Sequence, residues 1–193
     1  MFDHFDFLAP FYDRLIGLPD PARLRELLRL PTPGWLLDAG GGTGRVSTGL
    51  RPFVGGLVVS DFSGPMLRQV RQKGSLWPTQ VRVERLPFPD ESFDRILVVD
   101  ALHHFHQQSA AIGELARVLK RGGRLVIEEP DINRFAVKLV ALAEKLALMG
   151  SHFHSPGEIR DVVAVHGLTV RIETNGAFAA WVVADRAASS SLP

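Results

Sequence analysis

The stretch Leu37-Asp38-Ala39-Gly40-Gly41-Gly42-Thr43-Gly44-Arg45 decides how this chain is read. Trp35-Leu36-Leu37 is a short apolar run of the kind that forms a buried strand, and the residues after Gly44 open a helix. A glycine-rich turn in that position lies outside the carboxyl end of a sheet, where α/β folds bind ligands. Glycine lets the backbone turn sharply and come close to a ligand. Four glycines between positions 40 and 44 are more than a plain turn needs.

The same alternation runs outward from the loop. Leu57-Val58-Val59-Ser60, Arg95-Ile96-Leu97-Val98-Val99 and Arg124-Leu125-Val126-Ile127 read as further buried strands. Between them, Pro65 to Arg71 opens behind Ser63 as N-cap and sets Met66, Leu67 and Val70 on one face. Ala110 to Leu119 repeats the pattern and is expected to stop at Gly122-Gly123. Residues up to Leu30 read as one or two helices. A long apolar helix is expected over Phe135 to Met149 and a shorter one over Glu158 to His166, with strands around Val170 and Trp181. This order predicts a doubly wound α/β sheet whose last two strands pair as a hairpin at one edge.

The loop also restricts the ligand. A Walker A loop needs Gly-Lys-Ser/Thr where Arg45-Val46-Ser47 stands, and the third glycine of the dinucleotide fingerprint falls on Arg45. The pattern that fits is Asp-x-Gly-x-Gly-x-Gly on Asp38, Gly40, Gly42 and Gly44. A carboxylate at the mouth of a phosphate cradle repels pyrophosphate but suits a cationic cofactor without phosphates, such as S-adenosylmethionine. The second strand ends at Asp61-Phe62, where such folds place an acid for ribose hydroxyls. Taken alone, Asp61 reads equally well as a helix cap and Phe62 as core.

Composition bounds the rest. The chain has 193 residues, of which 46% are hydrophobic and 22% charged, a single folded domain's worth. A formal net charge of +1 argues against nucleic-acid binding through bulk positive charge. The absence of cysteine removes disulfides and thiolate chemistry and fits a cytoplasmic setting. No stretch has the roughly 20 apolar residues of a membrane span, and the N-terminus does not read as a signal peptide.

Four stretches carry a resemblance to the class I SAM-dependent methyltransferases, and within them to the small-molecule branch of ubiquinone and menaquinone biosynthesis. They are Asp38 to Gly44; Asp61-Phe62-Ser63-Gly64-Pro65-Met66-Leu67; Leu86-Pro87-Phe88-Pro89-Asp90-Glu91-Ser92-Phe93-Asp94; and Ala101-Leu102-His103-His104-Phe105. Phe11-Tyr12-Asp13 resembles that branch's opening helix. The resemblance implies a three-layer, doubly wound Rossmann-like sheet, mostly parallel with an antiparallel edge hairpin. It implies S-adenosylmethionine as cofactor and methyl transfer to a small apolar or aromatic acceptor.

It also implies roles by position. Gly40 and Gly42 touch the methionine part of the cofactor through backbone, Asp61 binds ribose and Phe62 flanks adenine. The turn at Glu84-Arg85-Leu86 presents an edge to adenine, Val99 and Asp100 lie below the methionine part, and Tyr12 closes over it. Where the family often has an adenine-binding Asp, this chain has Arg82, so Glu84 is the substitute expected. Residues 1–30 and about 131–156 are expected to form the substrate lid of the one domain.

Histidine is the candidate general base, with an ordinary pKa near 6.5. His103-His104 follow the fourth strand, and His152-Phe153-His154 lies in the expected lid. His104 and His154 are expected to line the acceptor pocket. No acid or cysteine completes a metal set around His152 and His154, so no metal is expected. The apolar helix over Phe135 to Met149 reads as a cover for the sheet, a lid or a homodimer contact. Two other functions stay open: a SAM-binding regulatory module without catalysis, and a nucleotide-dependent oxidoreductase disfavoured by Asp38 and Arg45. An amino-group DNA methylase is disfavoured by Asp100-Ala101-Leu102-His103 after the fourth strand.

Overall fold

The computed structural model describes residues 20–130, 152–174 and 179–188. Tyr12 and the expected helix over Phe135 to Met149 lie outside the described residues. In chain order the elements are α1 (Pro21–Leu28), β1 (Thr32–Ala39), α2 (Arg45–Leu50), β2 (Val54–Asp61), α3 (Gly64–Gln72), β3 (Trp77–Gln80), β4 (Phe93–Val99), α4 (Gln108–Val118), β5 (Leu119–Pro130), α5 (Pro156–Ala164), β6 (Thr169–Thr174) and β7 (Ala179–Asp185). Among these residues the strands form one sheet in the order β3-β2-β1-β4-β5-β7-β6. β3, β2, β1, β4 and β5 run parallel, while β7 is antiparallel to both β5 and β6. This is the mostly parallel, doubly wound sheet with an antiparallel hairpin edge that the pattern predicts.

Side chains alternate across each strand and so divide the core in two. Leu36, Leu57, Leu97 and Val126 pack with α1, α2 and α3 on one face. Leu37, Val58, Ile96 and Leu125 pack with α4 and α5 on the other. The phase of this alternation matters at the end of β5: Glu128 falls on the face of Val126 and Glu129 on that of Ile127.

Two expectations are corrected. The helix read as Ala110 to Leu119 spans Gln108–Val118, and the chain is already extended at Leu119. Leu119, fully buried, pairs with Phe93, so Gly122-Gly123 lies within β5 instead of ending the helix. β3 has no counterpart in the sequence reading. Trp77-Pro78-Thr79-Gln80 lacks a buried apolar run because it is an edge strand, the position where proline is tolerated. The shorter C-terminal helix begins at Pro156, where Ser155 and Glu158 form a capping box. No helix of the described residues is long and apolar enough to cross a membrane.

Two strand arginines fix the end of α1. Arg95 Nε donates to the Leu28 carbonyl at 2.6 Å, and Arg124 donates from Nη1 to the Leu27 carbonyl at 2.9 Å. Arg29, in the left-handed conformation, closes the helix by donating its own N–H back to Arg25 and Glu26. Cations at the carboxyl end of a helix satisfy its last acceptors and complement its dipole. Arg124 is 2% exposed and also meets the Asp185 carboxylate on β7 at 2.7 and 2.8 Å. We therefore expect Arg124→Ala to lower the unfolding free energy in urea by about 2–4 kcal/mol, since a partly buried carboxylate and a helix-end carbonyl lose their donor together.

Candidate functional site

The site is assembled where β1, β2, β4 and β5 end. After β1 the backbone reverses, and the N–H groups of Gly40 and Gly41 donate to the Ser60 carbonyl of β2 at 2.8 and 3.1 Å. Gly40 has φ +72°, and a Cβ there would lie 2.7 Å from Ala101 Cβ, so the turn after β4 presses directly on the loop. Gly42 differs: its φ is +54°, but only the Met66 sulfur comes within 4.0 Å of a Cβ placed there. The loop is packed shut at Gly40 and open at Gly42.

Asp61 joins the loop to the next helix. Its Oδ2 accepts from Gly42 N–H at 2.9 Å and its Oδ1 from Ser63 N–H at 2.8 Å. The capping of α3 itself falls to Ser63, whose hydroxyl accepts from Met66 N–H. Phe62 is not core: it is 54% exposed, with the Arg82 guanidinium 4.3 Å from its ring centroid. Arg82, which stands where an acid was expected, therefore covers an aromatic face.

Asp38 is placed beneath the loop and not at its mouth. It is 1% exposed and accepts a 2.6 Å hydrogen bond from the Ser47 hydroxyl of α2. Burial raises its pKa to about 6, against the lowering effect of Ser47, and the nearby Asp61 adds to the rise. A second buried carboxylate, Glu128, ends β5 on the same face of the sheet and accepts from the Trp181 indole N–H at 2.7 Å. Burial raises Glu128 to about 7, with Asp100 contributing repulsion. Asp100 follows β4 at φ +50°, uncommon for a residue with a side chain, and lies 3.7 Å from Arg45. Val99, 9% exposed, belongs to the core on this side. Asp38, Asp100 and Glu128 thus gather around Arg45, Asp61 lies near Asp38, and the end of the sheet is rich in carboxylates.

The expected adenine edge has other partners. Glu84 Oε1 accepts from the N–H groups of His106 and Gln107, at the start of α4. Leu86 N–H donates to Glu114 of α4 at 2.9 Å, and the Leu86 side chain is buried. Both residues hold their turn against α4.

The histidines separate clearly. His103, 5% exposed, places Nδ1 2.5 Å from Glu129 Oε2, while Glu129 Oε1 accepts from Ala101 and Leu102 N–H at 3.0 and 2.7 Å. His104 is tilted against His103 with ring centroids 4.0 Å apart, and burial pushes its pKa down to about 3. His154 is about two-fifths exposed and lies 3.8 Å from Glu158. Phe153 stacks on His103 with centroids 4.3 Å apart, and His152 N–H donates to the His103 carbonyl. Among the described residues no group of three or more His, Asp or Glu side chains is arranged to hold a metal.

Sequence reasoning missed Glu128 and Glu129. The signal was two adjacent acids at the carboxyl end of an otherwise apolar strand, Leu125-Val126-Ile127-Glu128-Glu129. Carboxylates that the strand pattern buries require partners.

A methyltransferase-domain family model matches residues 37–127, from the end of β1 through most of β5. The chain is 35% identical over 139 residues to a demethylmenaquinone methyltransferase of Thermus thermophilus, covering 65% of this chain and 63% of the relative. It is 34% identical over 114 residues to the ubiquinone/menaquinone biosynthesis C-methyltransferase UbiE of Pseudomonas fluorescens, covering 54% and 44%. The matches thus span less than two thirds of either relative's length. Among solved structures, that of the Haloferax volcanii Trm112 methyltransferase activator in complex with a methyltransferase matches with TM-score 0.79 at 18% identity, covering 97% of this chain and 99% of that one. A glycine loop open at Gly42, a carboxylate-rich carboxyl end of the sheet and these likenesses agree: residues 37–127 are similar to a methyltransferase domain, and the chain is similar in sequence to small-molecule C-methyltransferases of the UbiE kind.

Proposed function

We propose that this chain transfers a methyl group from S-adenosylmethionine to a small apolar or aromatic molecule. The observation that carries the reading is the loop at Gly42, clasped by Asp61, with Asp38, Asp100 and Glu128 around the neighbouring Arg45. A site with this excess of carboxylates favours a ligand bearing ammonium and sulfonium charges and disfavours a pyrophosphate. The names of the curated relatives favour a quinone-type ring as acceptor.

In this reading the backbone of Gly40 and Gly42 receives the methionine part, over Val99, and Tyr12 covers it. Asp38 supplies negative charge from beneath, Asp61 turns from the loop amide to the ribose hydroxyls, and the exposed face of Phe62 receives adenine. The turn at Glu84 and Leu86, held by α4, borders the adenine through its backbone. His104 and His154 line the acceptor side, where residues near 152–156 form part of the lid. When bound, S-adenosylmethionine supplies an electrophilic methyl group open to in-line displacement. The protein's part is alignment, which can contribute several kcal/mol, about half or more of a typical barrier reduction.

Calorimetric titration with S-adenosylmethionine, S-adenosylhomocysteine and NADH tests this directly. The first two are expected to bind and NADH is not; NADH binding without the others would return the oxidoreductase reading. Phe62→Ala is expected to weaken S-adenosylhomocysteine binding by about tenfold, the worth of one aromatic stacking contact.

The raised pKa of Asp38 makes a pH prediction with a definite sign. A cation binds the ionised carboxylate, whose population grows as pH rises through about 6. Affinity for S-adenosylhomocysteine is therefore expected to strengthen between pH 5 and 7 and then level. Asp38→Asn should remove that dependence and bind more weakly at pH 7.5. An unchanged slope in the variant would exclude Asp38 as its source.

A further inference from the structure

Glu129 is a buried carboxylate with all of its visible bonding directed at one turn. Oε1 takes the N–H groups of Ala101 and Leu102, and Oε2 faces His103 Nδ1. A carboxylate on Nδ1 fixes the tautomer with the proton on that nitrogen and raises the basicity of Nε2. Because Nδ1 points to β5, the ring turns Nε2 away from that strand. Among the described residues, Glu129 from β5 and His104 from its own turn are titratable groups that face the His103 ring, and residues 152–155, the strap before α5, reach it through the His152 backbone and the Phe153 ring.

The surroundings suit a proton acceptor. Phe153 lies flat on the imidazole, the interplanar angle being 15°, and His152 is tied both to the His103 carbonyl and, through its own carbonyl, to Gln108. These contacts hold the strap over the ring and limit water. The same turn carries Ala101, which presses on Gly40 of the loop. The dyad is therefore covalently and sterically coupled to the place where the cofactor's methionine part is read.

We infer that His103, oriented by Glu129, takes the proton from a hydroxyl of the methyl acceptor. The inference rests on the methyl-transfer reading. The acceptor O–H bond breaks, the proton goes to Nε2 and the electron pair stays with the acceptor. The acceptor's ring carbon or oxygen then bonds to the methyl carbon as the methyl–sulfur bond breaks, sulfur keeping that pair. Where carbon is the acceptor, its own hydrogen then leaves as a proton to solvent, the C–H pair restores the aromatic ring and the oxygen regains a proton from Nε2. His104 serves this role poorly, because burial leaves it neutral and weakly basic.

Glu129→Gln is the discriminating variant. Its amide oxygen can keep both backbone bonds to the turn, while its NH2 group faces Nδ1 and drives the ring proton to Nε2. NMR of the isotopically labelled full chain with S-adenosylhomocysteine bound reads this without any acceptor. The wild type is expected to show His103 protonated on Nδ1 and titrating at least one pH unit above its value in Glu129→Gln, where the proton moves to Nε2. A wild-type Nε2–H tautomer, or a titration that Glu129→Gln leaves unchanged, overturns the inference.

A second arm measures methyl transfer to a demethylmenaquinol with a short isoprenoid tail. Both His103→Asn and Glu129→Gln are expected to lower kcat by about 10²–10⁴-fold, with S-adenosylhomocysteine affinity and thermal melting nearly unchanged in Glu129→Gln. Retained kcat and an unaltered pH profile would refute the dyad's role. If the wild type binds cofactor and does not methylate this acceptor, the acceptor class fails and the NMR arm decides the dyad.

Discussion

The bond from Gly42 N–H to the Asp61 carboxylate is the constraint on which the rest of the site depends. It connects the turn after β1 to the end of β2, the two neighbours in the middle of a parallel sheet. With Gly40 and Gly41 already bound to the Ser60 carbonyl, the loop has little freedom left. A loop fixed in this way has its backbone shaped in advance, so ordering it costs little when a ligand arrives. In the proposed function the same carboxylate oxygens serve the ribose, so Asp61 exchanges one donor for another and the site is not created from a mobile segment.

The other end of the site obeys a related rule. β5 finishes with side chains that hold the turn after β4 and the layer facing it. Glu129 collects two backbone donors and an imidazole, and Glu128 faces the opposite layer, where Trp181 donates to it. Two successive residues thus serve two layers because strand alternation sends them apart. Buried charges of this kind survive only when bonded, and their bonding is what gives the turn after β4 its shape.

The sheet was legible because buried parallel strands leave apolar runs and α/β crossovers leave amphipathic ones. Ser63 as N-cap was legible for the same reason: it acts within a few residues of its position. What sequence could not reveal was long-range. β3 escaped because an edge strand needs no apolar run. Asp38 was read at the loop's mouth, since nothing local says that Ser47 will draw it beneath. His103 and His104 are adjacent and chemically identical on paper. Glu129, 26 residues later, distinguishes them.

The sheet order carries a consequence for synthesis. β7 follows every other strand of the described residues, yet it lies inside the sheet, between β5 and β6. As the chain leaves the ribosome, β5 therefore emerges with one edge bare and stays so until Asp185 has followed. During that interval Arg124 lacks its carboxylate and Glu128 lacks its indole. The nascent chain can assemble the loop and the first five strands early, but the charge balance beside the loop is completed only once Trp181 has followed.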